Sequence, residues 1–325
     1  MKIQRLLAAA AAGMLLLTGC APQQDAPEAD KLRIVCTIFP EYDWMRELTK
    51  DVPDVELTCL AGNGSDLHSY QPTADDIVKI ADCDIFVYVG GESDTWVDDA
   101  LAGTHRDSRQ VIAVLDALGA DVLEEETVEG MQAEEEEEEE GEEEAPEYDE
   151  HFWLSPRCAV QTTALFESAL ASADPTHADL YRQNRQTYTE ALTGLDEAFC
   201  GLAEAHPGAV LLFADRFPFR YLTDELGFSY YAAFSGCSAE TEASFETIAF
   251  LAEKTDELGL PFVCTIEGSD CSIADAVIRS TKGQDQKIIT LNSLQSVTAQ
   301  ELSGGMTYLD VMQQNYETLK EALES

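Results

Sequence analysis

Histidine is scarce in this chain, with five in 325 residues: His68, His105, His151, His177 and His206. Two of them stand in loops that follow or precede well-formed elements. His68 lies in Gly64-Ser65-Asp66-Leu67-His68-Ser69-Tyr70-Gln71-Pro72-Thr73, and His151 in Asp149-Glu150-His151-Phe152-Trp153-Leu154-Ser155-Pro156. Neutral imidazole is the commonest ligand for zinc and other transition ions. Two such loops on one lobe can aim both rings at one point. His105, His177 and His206 read as ordinary surface residues. Catalytic patterns are missing: neither H-E-x-x-H nor G-x-S-x-G occurs in the sequence, so a binding protein is expected and not an enzyme. A secreted zinc hydrolase with an open water position is the enzymatic alternative, and a surface adhesin the non-catalytic one.

The elements that must position these loops follow from the apolar pattern. Leu32 to Phe39 predicts a strand ended by Pro40, Glu41 to Lys50 a helix, and Val55 to Leu60 a second strand. Thr73 predicts an N-cap, with Asp75 and Asp76 in the first turn where the helix dipole favours anions. Asp84 to Val89 and Val111 to Leu115 predict two more strands. Pro156 to Ser172 is helical. Asp174-Pro175 then opens a long helix whose apolar residues recur every three or four positions to Leu202. The second half repeats the alternation, with strands at Ala209 to Phe213, Ser229 to Phe234, Pro261 to Ile266 and Lys287 to Leu291. Helices fall at Phe217 to Leu226, Ser244 to Leu258, Ile273 to Thr281 and Tyr308 to Leu323. Strand–helix alternation implies an α/β fold with parallel sheets. The expected plan is an N-terminal lobe over 31–173, a linking helix over 174–206 and a C-terminal lobe over 207–325. Ligand is expected where strand ends meet between the lobes.

The flanking segments carry other signals. Lys2 and Arg5 precede an apolar run from Leu6 to Leu17, too short to span a bilayer, which takes about 20 residues. Residues 1–19 read as a secretory signal. Leu17-Thr18-Gly19-Cys20 resembles a bacterial lipobox, in which Cys20 is lipidated and anchors the chain to a membrane on its extracytoplasmic face. Residues 20–30 read as a tether. The net charge of −44 excludes nucleic acid as a natural partner and favours cations. Part of it sits in the glutamate-rich stretch 124–150, which cannot collapse on itself and reads as a surface loop. Of nine cysteines none forms a C-x-x-C pair, which argues against a zinc knuckle. Several sit in apolar runs and read as buried thiols, and their pairing stays open.

Taken together, the two histidine loops resemble the G-x-D-x-H-x-Y-x-P-T and D-x-H-x-W-L-x-P motifs of the cluster A-I (ZnuA/TroA-like) solute-binding proteins, the zinc and manganese receptors of ABC importers. The resemblance covers nearly all of the chain after the tether. It implies a rigid monomeric receptor of two α/β lobes, with metal buried between them and released to a membrane permease and its ATPase. It makes His68 and His151 the first two ligands. The third family position falls on Ala214 in Phe213-Ala214-Asp215-Arg216-Phe217. Alanine cannot bind metal, so Asp215 becomes the nearest candidate. The fourth falls in Thr265-Ile266-Glu267-Gly268-Ser269-Asp270-Cys271, where Glu267 is favoured over Asp270 and Cys271. Glu240 and Glu242 are further candidates. Zinc is the expected cargo and manganese the alternative. Affinity is expected to fall below the ordinary imidazole pKa, about 6.5.

Overall fold

The structure, a computed structural model, describes residues 31–104, 106–132, 147–238 and 242–325. The leader and tether with Cys20, His105, most of the acidic run and Glu240 lie outside the described residues. Strands β1 (Leu32–Cys36), β2 (Val55–Cys59), β3 (Ile85–Tyr88) and β4 (Gln110–Ala113) form one parallel sheet in the order β2-β1-β3-β4. Strands β5 (Val210–Phe217), β6 (Ser229–Ser235), β7 (Phe262–Ile266) and β8 (Lys287–Leu291) form another in the order β6-β5-β7-β8. Both sheets therefore share one topology. Every strand pairing is parallel, as crossover helices require. Central strand β7 is buried along its whole length, while β2 and β8 are half exposed. That is the pattern of sheets covered on both faces at their centres.

Helices α1 (Phe39–Leu48), α2 (Ala74–Asp82), α3 (Trp96–Gly103) and α4 (Val114–Leu118) cover the first sheet. Helix α5 (Pro156–Ala173) leads into α6 (Ala178–Ala205), a strut of 28 residues that runs about 42 Å. The second sheet carries α7 (Arg220–Leu226), α8 (Phe245–Leu258) and α9 (Ser272–Ser280). The short α10 (Ala299–Ser303) and the closing α11 (Tyr308–Leu323) complete the chain.

Several boundaries differ from the sequence expectation, each for a local reason. Pro40 does not merely end β1; it stands in the first turn of α1, where its missing N–H costs nothing. Buried Glu41 turns its Oε2 back to accept from the N–H of Thr37 and the Thr37 hydroxyl, at 3.2 and 3.3 Å. Strand β5 does not stop at Phe213. It slips register between Phe213 and Arg216 and continues to Phe217. The Phe217 ring lies flat on Tyr230 at 3.7 Å between centroids, which holds the extension, so the helix expected from Phe217 begins only at Arg220.

One aromatic core binds the lobes to the strut. Trp44 of α1 meets Phe152, Phe166 and Tyr308 at 5.2–6.3 Å. Tyr181 and Phe199 of α6 are fully buried in the same cluster. Two hydrogen bonds tie this core across the molecule. The Tyr308 hydroxyl donates to the Trp153 carbonyl at 2.6 Å, and Trp153 Nε1 donates to the Ser293 carbonyl at 2.8 Å. The second bond joins the His151 loop of one lobe to the loop after β8 of the other.

Candidate metal centre

Each histidine is set by an aspartate two residues before it. Asp66 Oδ1 accepts the His68 backbone N–H at 3.0 Å and starts a short 3-10 turn, Leu67–Ser69. Downstream, Thr73 and Asp76 form a capping box on α2, and the Tyr70 hydroxyl donates to Asp76 at 3.0 Å. Asp149 Oδ1 accepts the His151 backbone N–H at 2.8 Å. The turn Phe152–Leu154 is wholly buried, and the Ser155 hydroxyl oxygen caps α5 by accepting from Cys158 N at 3.0 Å. Both loops are thus fixed at their far ends by helix caps, a rigidity the motifs encode locally.

The two imidazoles converge. His68 Nε2 and His151 Nε2 are 3.1 Å apart. His151 is fully buried, and the His68 side chain is 7% exposed. The other ring nitrogens are engaged. His151 Nδ1 is 3.0 Å from Asp149 Oδ1, and His68 Nδ1 is 2.7 Å from the Ser93 hydroxyl. An acceptor at Nδ1 holds the proton there and leaves the Nε2 lone pair free, the arrangement that orients metal-binding histidines. Both lone pairs meet a single group, the side-chain amide of Gln295. Its Nε2 lies 2.8 Å from His68 Nε2 and 2.6 Å from His151 Nε2, one N–H for each ring. Burial, and then the neighbouring His151 ring, hold the His68 imidazolium form far down, at about 3.

The carboxylates expected from the sequence take different places. Glu267 Oε2 accepts from the Ser293 N–H at 2.6 Å and Glu267 Oε1 from the Ser293 hydroxyl at 2.7 Å. That hydroxyl oxygen is also 3.0 Å from Gln295 Oε1. Glu267 therefore stands behind Gln295, joined to it through Ser293, and burial raises its pKa. Asp215 Oδ1 accepts from Arg216 N at 2.9 Å and Oδ2 from Ile266 N at 3.4 Å, joining β5 to β7. Arg216 does not pair with Asp215. It crosses to the other lobe, and its Nη2 donates to Asp66 Oδ2 at 2.8 Å. Burial alone would raise the Asp66 pKa, but this guanidinium brings it below the ordinary value. Ala214 packs into the apolar core of the second lobe. Asp270 Oδ1 accepts from Ser272 N at the start of α9, and Glu242 is exposed.

Two residues that sequence reasoning did not single out join the site. Gln295 follows β8 in Asn292-Ser293-Leu294-Gln295-Ser296, and Cys237 follows β6 in Ser235-Gly236-Cys237-Ser238. Among the described residues, His68, His151 and Cys237 bring one ligand atom each within 4.8 Å of one another. The available signal was position: a polar or sulfur side chain just past the C-terminal end of a strand, where α/β proteins place ligands. A cavity of about 720 Å³ opens onto His68 and Gln295 between Asp66, Asp215, Arg216 and Glu267. A smaller pocket of about 230 Å³ is lined by His68, Ser93, Glu125, Glu150 and Cys237.

Gly236 makes this packing possible. A Cβ there would lie 2.7 Å from His151 Cε1 and 2.9 Å from the Phe217 carbonyl oxygen. Gly236→Ala is therefore expected to push the His151 ring off its partner and weaken metal binding about tenfold or more, with circular dichroism unchanged, since a misplaced ligand acts as strongly as a lost supporting contact. Unaltered metal affinity in that variant would mean the ring tolerates the shift.

Comparison with known proteins matches this geometry to a sequence group. The family profile described as "ZnuA: Zinc-uptake complex component A periplasmic" matches residues 34–322. The zinc-binding lipoprotein AdcA of Streptococcus pneumoniae is 30% identical over 99% of this chain, which spans 61% of the length of that relative. The high-affinity zinc uptake system protein ZnuA of Bacillus subtilis is 29% identical over 96% of this chain and 95% of its own. The crystal structure of the Zn(II)-bound ZnuA-like domain of the pneumococcal AdcA superposes with a TM-score of 0.69 at 26% identity, covering 91% of this chain and all of that one.

Proposed function

Because the chain belongs to the family of ZnuA zinc-uptake components, we propose that it is an extracytoplasmic receptor that binds zinc between its lobes and delivers it to an ABC importer. The observation that carries this reading is the pair of Nε2 atoms, 3.1 Å apart, with His151 Nδ1 against the Asp149 carboxylate and His68 Nδ1 against the Ser93 hydroxyl. Such a pair is a preorganised two-nitrogen donor when each ring carries its proton on Nδ1. A zinc ion replaces the two N–H groups of Gln295. Turning that amide over then presents Oε1 to the ion and gives the doubly approached Ser293 hydroxyl oxygen a donor, with Glu267 behind it as support. In this reading Glu267 and Asp215 tune and brace the site, and His68 and His151 bind directly. The partners are a membrane permease and its ATPase. A lipid at Cys20 holds the receptor, as a monomer, at the outer face of the membrane. The relatives' names support zinc as cargo.

Metal analysis of protein purified without chelators tests this. One equivalent of zinc per chain is expected, displaced by chelator and not by equimolar manganese. A manganese-loaded protein that releases its metal to neither chelator nor zinc would reverse the choice of cargo. A protein that binds neither ion would remove the receptor reading.

A further inference from the structure

We infer that Cys237 is a direct ligand of this metal, and that its sulfur sets the preference of the site for zinc over manganese. The inference rests on the receptor reading above and deepens it. Two imidazoles supply two bonds, and zinc takes four. Among the described residues the groups within reach are few. Glu150 Oε2 is 3.6 Å from His68 Nδ1, the ring edge turned away from the converging Nε2 atoms. Glu267 and Asp215 are held by Ser293 and by the β7 backbone. Cys237 carries a free thiol whose sulfur lies within 4.8 Å of one ring nitrogen of each histidine. On a bound zinc, neighbouring nitrogen and sulfur ligands stand roughly 3.3–3.8 Å apart, as bond lengths of about 2.0–2.3 Å require. Gathering the three groups on one ion thus takes a contraction of roughly 1 Å, together with the turning of Gln295.

The chain is built to bring that sulfur in. Strand β6 ends at Ser235, and Gly236 lets the backbone pass against the edge of the His151 ring, where any Cβ would collide. Cys237 comes next. The chemistry then favours one class of ion. Thiolate is a soft ligand suited to zinc, whereas manganese prefers carboxylate, carbonyl and water oxygens. The thiolate also offsets one of the two charges that neutral imidazoles and an amide leave uncompensated in a buried site. The alternative is a partly buried thiol that merely packs beside the rings.

Cobalt(II) separates the two. Titrated into the full chain after chelator treatment, it is expected to give the visible bands of a bound tetrahedral ion together with an intense sulfur-to-cobalt charge-transfer band in the near ultraviolet. Cys237→Ser loses the charge-transfer band and keeps the visible ones. The same variant is expected to lower zinc affinity by about 100-fold, at or beyond the upper end of what supporting contacts carry, and to leave manganese affinity little changed. Bound cobalt without a sulfur band in the unaltered chain, or unchanged zinc affinity in Cys237→Ser, overturns the assignment while the receptor reading stands. Failure of the unaltered chain to bind either cobalt or zinc overturns both.

Discussion

Replacing His151 by alanine is expected to lower zinc affinity at least about 1000-fold, a loss of about 4 kcal/mol. Structural zinc sites are worth about 10–16 kcal/mol in all, so one of four ligands accounts for roughly that share. The loss falls on binding first because the ring does two jobs. Its Nε2 faces the metal position, and its Nδ1 takes up the buried Asp149 carboxylate. The alanine variant leaves Asp149 and the Gln295 amide short of one partner each. That costs about 1–3 kcal/mol of fold stability per stranded group, so circular dichroism and a melting curve must accompany the titration. His68→Ala provides the cleaner case. Its ring sits at the edge of the cavity, its Nδ1 partner Ser93 can turn to water, and the fold keeps its core. Competition against a zinc-binding dye gives the number. An affinity within tenfold of the unaltered protein in both variants would show that the imidazole pair is not where zinc sits.

Metal-free protein is expected to be more stable at pH 5.5 than at pH 8, by about 3 kcal/mol, against the habit of most soluble proteins. The sign follows from the buried acids. Burial raises Asp94 and Glu225 to about 7 each and Asp43 to about 6. A carboxyl whose folded pKa lies above its unfolded value holds more protons in the folded state, so acidification through the folded value stabilises the fold. Their contribution is lost as pH rises from about 4 through 6–7. His68 works in the other direction. Its pKa falls from 6.5 unfolded to about 3 folded, so the unfolded chain takes up the proton first. The resulting cost begins below pH 6.5 and amounts to about 1.4 kcal/mol per pH unit. Over this interval three acids outweigh one histidine. The carboxylates held low, such as Asp66 and Asp76, titrate only under more acidic conditions. Relief of repulsion in a chain of net charge −44 adds in the same direction. Urea melts of chelated protein at the two pH values check this, and a lower midpoint at pH 5.5 would contradict it.

The same shift corrects the simplest expectation for zinc. An ordinary imidazole would compete with metal for protons below about 6.5. His68 is already neutral well below that value, so proton competition at this ring does not begin at pH 5.5. The motif reveals the residue type. The titration range depends on burial beside Gln295 and the opposite ring, neither of which is adjacent to His68 in the chain.

Local patterns in the sequence settle much of this protein. The alternation of apolar strands and amphipathic helices fixes two α/β halves, because each element must bury one face. The N-cap at Thr73 and the glycine stops at Gly227 and Gly259 fall where short-range hydrogen bonds and positive φ demand them. The two histidine loops carry their own aspartates and caps, so their shape too is written within a few residues. The residues that join the two rings from elsewhere in the chain were not legible in this way. Gln295 reaches the rings because Trp153 holds the Ser293 carbonyl from the other lobe. Cys237 reaches them because Gly236 leaves room for a ring 85 positions earlier in the chain. Arg216 passes over its neighbour for Asp66, 150 residues away. Family position put Glu267 forward and adjacency to Ala214 put Asp215 forward, and in the folded chain Ser293 holds the first and the backbone of Arg216 and Ile266 the second. Ligation depends on which donors the packed lobes bring to one point in space, and that only the tertiary structure decides.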